Sequence, residues 1–112
     1  MCWELGMKRT RYVDSSAQER INAVPTEKLG TRGLIAGEVH DENAFAGGGV
    51  FAHAGLFSPL EDVATFAKAI ISINNGKTVA GIKPAVLREL LSSQAAPGTW
   101  RLGWDTPSPP PA

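Results

Sequence analysis

The sequence predicts a mainly α protein with long irregular loops, and two segments carry that expectation. The first is "SPLEDVATFAKAIISINNG". Ser58 is placed to accept from backbone N–H groups as a cap, Pro59 opens the helix where its missing N–H costs nothing, and Glu61 completes a capping box. Leu60, Val63, Ala64, Ala67, Ile70 and Ile71 recur at three- and four-residue spacing with Phe66 alongside, and Gly76 is the stop signal. The spacing predicts a helix over 59–74. The second segment, "KPAVLRELLSSQ", predicts a helix from Pro84 to Ser93, with Val86, Leu87, Leu90 and Leu91 as its apolar face. Between and before these segments, 12 glycines and 8 prolines break the chain into short pieces.

The remaining elements are weaker. "MCWELGM" reads as the end of a helix entering a turn at Gly6. Ser16 and Glu19 have capping-box spacing, with room for about one turn of helix before Pro25. "PTEKLGTRG" reads as loop, and short strands are expected near 34–39 and 100–104. The first seven residues have no helix ahead of them, and the second strand has no partner in the sequence, so the reading is of a truncated unit. Residues 1–104 form that single unit, and 105–112, "DTPSPPPA", form a disordered proline-rich tail.

Composition excludes several classes of function. Apolar residues make up 43% of the 112, within the globular range. Eleven Lys and Arg balance eleven Asp and Glu, and the densest basic run, "KRTR", is short. Nucleic acid is therefore not an expected partner, because phosphate neutralisation needs a basic excess or stripe. No apolar run approaches the ~18 residues that span a bilayer, and no signal peptide is read at the N-terminus. As the chain stands it suits the cytoplasm, and its location is left open. Cys2 is the only cysteine and pairs with nothing in the chain.

Candidate chemistry concentrates between Gly37 and Phe66. His40 lies beside Asp41, Glu42 and Asn43, and a histidine held by an acid can act as a general base. Adjacent side chains diverge, however, in both strands and helices. Asp41 is better explained as the N-cap of a short turn through Phe45. His40 and His53 match no defended zinc spacing, so no metal or cofactor is expected. "GGGVFAHAG" lacks the lysine of a phosphate loop, and its glycines read as allowing positive φ and close packing. "GKTV" is not a Lys-Thr-Gly element, and neither Ser-x-x-Lys nor Gly-x-Ser-x-Gly occurs. No residue is assigned a catalytic role.

"PTE" at Pro25–Glu27, "GEVHDENAFAGGGVFAHAGLFSPLEDVATFAKAI" at Gly37–Ile70, "RLGW" at Arg101–Trp104 and "LGMKRT" at Leu5–Thr10 resemble serine hydrolases of the β-lactamase superfamily. The resemblance is to the class C β-lactamase, penicillin-binding protein and esterase branch, and runs from about Leu5 to Trp104. Ala52 stands where a glycine is usual, Pro59 where a threonine is, and Val63 where a leucine is. The resemblance implies the helical segment of a β-lactamase-like fold without its catalytic core sheet. It also implies a parent that hydrolyses a β-lactam, a peptidoglycan peptide or a small ester. The family's Ser-x-x-Lys and Tyr-x-Asn precede the Leu-Gly-Met stretch, and its Lys-Thr-Gly or His-x-Gly follows Leu-Gly-Trp. His53-Ala54-Gly55 has the form of the last but the wrong place in the order. The chain alone is therefore expected to be inactive. His40, Asp41, Glu42, Asn43, His53 and Gly55 would edge the cleft, and Ser58 and Glu61 would cap the helix beside it. The apolar face left by a missing sheet would drive self-association as a dimer. The alternative is a stand-alone helical binding or oligomerisation module that reuses this segment.

Overall fold

The structure, a computed structural model, describes residues 1–13, 21–92 and 98–107. Their elements in chain order are β1 (Arg11–Tyr12), β2 (Glu27–Leu29), β3 (Gly33–Ile35), α1 (Glu42–Ala46), β4 (Leu56–Phe57), α2 (Leu60–Asn74) and α3 (Pro84–Leu91). The capping box expected at Ser16 and Glu19, the C-terminal end of the helix expected to reach Ser93, and the last five residues of the tail lie outside the described residues. The chain divides into two compact units, Met1–Met7 with Val63–Ala112, and Lys8–Asp62.

The expectation of a mainly α chain is corrected. Among the described residues 29% are helical and 15% are in strands, and two small antiparallel sheets accompany three helices. In the first sheet β2 pairs with β3, joining Glu27 to Ile35, Lys28 to Leu34 and Leu29 to Gly33. The "PTEKLGTRG" segment read as loop therefore contains a strand, and the strand expected near 34–39 stops at Ile35. Three-residue strands are too short to show a period-two alternation, so the hairpin hid as a loop. In the second sheet Arg11 pairs with Phe57 and Tyr12 with Leu56, across a separation no local pattern announces. The strand expected near 100–104 is not formed. Trp100 makes a single bridge to Asp105, while the Arg101 N–H donates to the Trp104 carbonyl at 2.7 Å and turns the chain back. Thr106, in the expected tail, donates its N–H and its hydroxyl to the Thr99 carbonyl.

In the first unit the N-terminal segment behaves as the end of a helix. Met7 N–H donates to the Cys2 carbonyl and Gly6 N–H to the Trp3 carbonyl, the paired bonds of a Schellman stop. Lys77 N–H to Ser72 and Gly76 N–H to Ile73 end α2 in the same way. Leu5, Met7 and Ala69 form a buried cluster, with Cys2, Phe66 and Val79 packed against it. Phe66 also stacks on Trp104, centroids 6.1 Å apart and planes at 9°.

The buried stripe of α2 differs from the one expected. Leu60, Val63 and Ile71 are exposed, whereas Asp62, Ala69 and Ile73 are buried and Phe66 is half-buried between them. The helix is apolar around most of its circumference, so two stripes satisfy the helical period and only the partners choose between them. Leu5 and Met7 choose Phe66 and Ala69. In α3 the expected face holds in part, with Leu87 almost fully buried and Val86 exposed.

The second unit buries Ile35, Val39 and Ala44 around the β2–β3 hairpin and α1. Its end at Asp62 is tied down by polar bonds. The Asp62 Oδ2 atom accepts from the backbone N–H of Arg9, the backbone N–H of Thr10 and the Thr10 hydroxyl, each at 2.8 Å. Burial pushes this carboxyl up, but the Thr10 hydroxyl, the two N–H groups and the nearby Arg9 charge outweigh it. The net effect holds Asp62 below its ordinary value.

Candidate functional site

The second unit carries an open groove of about 1150 Å³. Its lining comes from the basic residues Lys8, Arg9 and Arg11, from 21–24 with Thr26, from 38–41, and from 54–60. Of the residues the sequence marked as a cleft edge, three line this groove, and His53 stands outside the lining. His40, Asp41 and Gly55 line it, whereas Glu42 and Asn43 lie exposed on α1 and outside the lining.

The turn that presents these residues is built by Arg32. Its guanidinium donates to the carbonyls of Val39 at 2.6 Å and His40 at 2.9 Å, and pairs with Glu38 at 3.3 Å. It also lies 3.7 Å from the centroid of the Phe45 ring. A planar fork can meet two carbonyls and a ring face together, which a lysine cannot. No pattern in the sequence singled out Arg32, because its partners are backbone carbonyls and leave no residue-type signature. Its Nε is buried and finds no acceptor among the described residues.

His40 and Asp41 diverge from this turn, as adjacent side chains do. Asp41 caps α1 as its position predicted, with Oδ1 accepting from the Ala44 N–H at 2.8 Å. The same oxygen meets His53 Nε2 at 3.1 Å. The Ala44 N–H foremost, and then His53, hold the Asp41 carboxyl below its ordinary value against the opposing effect of burial. The contact joins the Val-His-Asp and His-Ala-Gly stretches, which the sequence showed only as neighbours in order.

His40 turns the other way, to the hairpin. Its Nδ1 is 3.0 Å from the Thr26 hydroxyl and its Nε2 is 3.2 Å from Glu27 Oε2. The Glu27 pair is an ion-pair contact without an aligned hydrogen bond, and a negative charge beside Nε2 favours the tautomer that carries its proton there. In that tautomer Nδ1 accepts from the Thr26 hydroxyl. Each histidine therefore has an acid, and in neither case is it the sequence neighbour. Thr26 and Glu27 were not foreseen in this role, because the hairpin that places them was read as loop.

The loop between the two histidines depends on glycine. Gly48 ends α1 at φ +95°, with its N–H on the Phe45 carbonyl and the Gly49 N–H on that of Ala44. Gly55 has φ +105°, and a Cβ there would fall on the Gly49 carbonyl oxygen. The bland reading of this glycine run, close backbone approach at positive φ, is the one the geometry realises.

Ser58 has a different role from the one expected. Helix α2 begins at Leu60, so Pro59 rather than Ser58 precedes it, and the serine hydroxyl meets Thr10 Oγ1 at 2.8 Å. The hydroxyl thus joins the Thr10–Asp62 bonds in place of the expected cap. Glu61 lies in the first turn of α2, without the Ser58 cap that the expected capping box required.

Among the described residues, no three His, Cys, Asp or Glu side chains come together to hold a metal ion, and no helix is long and apolar enough to cross a membrane. Compared with protein-family models, curated proteins and solved structures, the chain finds no match.

Proposed function

We propose that this chain is a segment of a serine hydrolase akin to the β-lactamase superfamily, in its class C β-lactamase, penicillin-binding protein and esterase branch. In this reading it supplies the rim of a substrate cleft, and the parent opens an amide or ester such as a β-lactam, a peptidoglycan peptide or a small ester. The chain by itself does not perform the family's serine acylation.

One observation carries the reading. The two stretches that bear the resemblance are joined by the Asp41–His53 contact, and His40, Asp41, Ala54 and Gly55 from them line one groove. Ser58, the one serine among the described residues that line it, is hydrogen-bonded to Thr10. A hydroxyl without a base is a weak nucleophile. Incubation with a fluorescent penicillin tests the reading, with no labelled serine expected. Stoichiometric labelling of a serine overturns it.

A second reading, a stand-alone binding or oligomerisation module, is favoured by exposed apolar side chains. Trp3 and Trp100 of the first unit are 72% and 71% exposed, and Val24 and Leu60 of the second are 86% and 80% exposed. Large apolar groups left in water favour association, and for one kind of chain the simplest closed form is an isologous dimer. Light scattering after size exclusion decides it. A dimer that melts cooperatively supports the module, and a monomer at all concentrations rejects it.

A further inference from the structure

We propose that Thr26, His40 and Glu27 form a nucleophile–base–acid array that hydrolyses small apolar carboxylic esters in the groove of the second unit. This goes beyond the reading above, because it uses none of the serine machinery of the resembling family.

The warrant is geometric. An activated hydroxyl needs a base within hydrogen-bond reach and a third group that orients the base. The Thr26 hydroxyl is 3.0 Å from His40 Nδ1, and the opposite ring nitrogen is 3.2 Å from the Glu27 carboxylate. The carboxylate lies in ion-pair contact with Nε2, and its charge favours the tautomer in which Nδ1 is basic toward the hydroxyl. Three further features hold the array in place. Thr26 N–H donates to the Ile35 carbonyl, Glu27 pairs with Ile35 in the hairpin, and Arg32 grips the His40 carbonyl. Other charges near the turn are Asp41, committed to Ala44 and His53, and Glu38, committed to Arg32. Thr26 and His40 both line the groove, beside the apolar Val24, Val39, Leu56 and Phe57. An ester with a short apolar acyl group suits that surface.

The chemistry balances with water as the only co-reactant. Thr26 Oγ1 bonds to the ester carbonyl carbon while its proton passes to His40 Nδ1, and Glu27 stabilises the imidazolium. The tetrahedral adduct collapses, the C–O bond to the leaving alcohol breaks, and the alcohol takes the proton from His40. Water then gives a proton to His40 and attacks the acyl-threonine. Collapse of this second adduct releases the carboxylic acid and returns the proton to Thr26.

The experiment uses the full chain and p-nitrophenyl acetate, with release of p-nitrophenol and acetylation located by peptide mass mapping. The expected adduct is one acetyl group on Thr26. Thr26→Val keeps the branched shape and should lower the rate about a hundredfold, the lower end for loss of acid–base assistance. Thr26→Ser keeps a hydroxyl and should retain acylation, Glu27→Gln should slow it, and Thr78→Ala, an exposed threonine of the other unit, should change nothing. Circular dichroism confirms that each variant is folded. Acetyl groups only on lysine or histidine, or a Thr26→Val rate equal to that of the native chain, overturns the proposal. Penicillin labelling of a serine would overturn the earlier reading alone, and a chain inert to both probes overturns this proposal alone.

Discussion

Replacing Gly55 by alanine is the sharpest probe of the loop that carries His53. Two costs are added at this position. The backbone has φ +105°, where a side chain is strained by about 1–3 kcal/mol. The new Cβ would also fall on the Gly49 carbonyl oxygen, which is backbone and has no rotamer to yield. Moving Gly49 disturbs its 2.7 Å N–H bond to Ala44, which closes α1, and a lost backbone bond costs about 1 kcal/mol. Gly48→Ala separates the two costs. Gly48 has φ +95°, but a Cβ there meets nothing within 4 Å. The expected losses are therefore about 2 kcal/mol for Gly48→Ala, from backbone strain, and about 3 kcal/mol for Gly55→Ala, from strain plus the displaced cap. Thermal unfolding followed by circular dichroism should show Gly55→Ala melting about 4–8 °C below Gly48→Ala. Amide exchange by fragment should place the added opening in the second unit. Equal losses in the two variants would refute the steric argument, and a Gly55→Ala loss below about 0.5 kcal/mol would refute the geometry altogether.

Two other perturbations test the polar framework. Asp41 and Asp62 both have carboxyls held below the ordinary value of 3.8. Their stabilisation is fully present above that value and is lost as pH falls through the lower folded values, so it fades below about pH 3.8. An Asp41→Asn, Asp62→Asn double variant should be less stable at neutral pH and show a flatter acid limb in denaturant titrations across that window. An unchanged limb would show that neither carboxylate is held as the hydrogen bonds imply. Arg32→Lys should destabilise the second unit by about 2 kcal/mol, because one ammonium cannot replace a charged fork on two carbonyls. Chemical denaturation measures this, and a loss within about 0.5 kcal/mol would mean the Val39–His40 turn stands without its clamp.

What could be read from the chain follows the range of the interactions. The α3 start at Pro84, the α2 stop at Gly76 and the Asp41 cap were all legible. Each is set by a residue and the backbone groups within about one turn of it. The hairpin was missed because its strands are shorter than the pattern that reveals a strand. The β1–β4 pair was missed because Arg11 and Phe57 are brought together by everything between them. In the candidate site, the divergence of His40 from Asp41 was readable from backbone geometry, whereas the acid each histidine would meet was not.

The sequence by itself determined the local events: where helices stop, which aspartate caps and which glycines turn the chain. These rest on φ/ψ preferences and on hydrogen bonds a few residues long. Only the tertiary structure decided that α2 buries Asp62, Ala69 and Ile73 instead of Leu60, Val63 and Ile71. It alone also placed the Ser58 hydroxyl on Thr10, and His40 between Thr26 and Glu27. The physical reason is the same in each case. A helix apolar on most sides, a serine with one hydroxyl and a histidine with two ring nitrogens each admit several partners. The choice among them belongs to side chains that arrive from elsewhere in the chain.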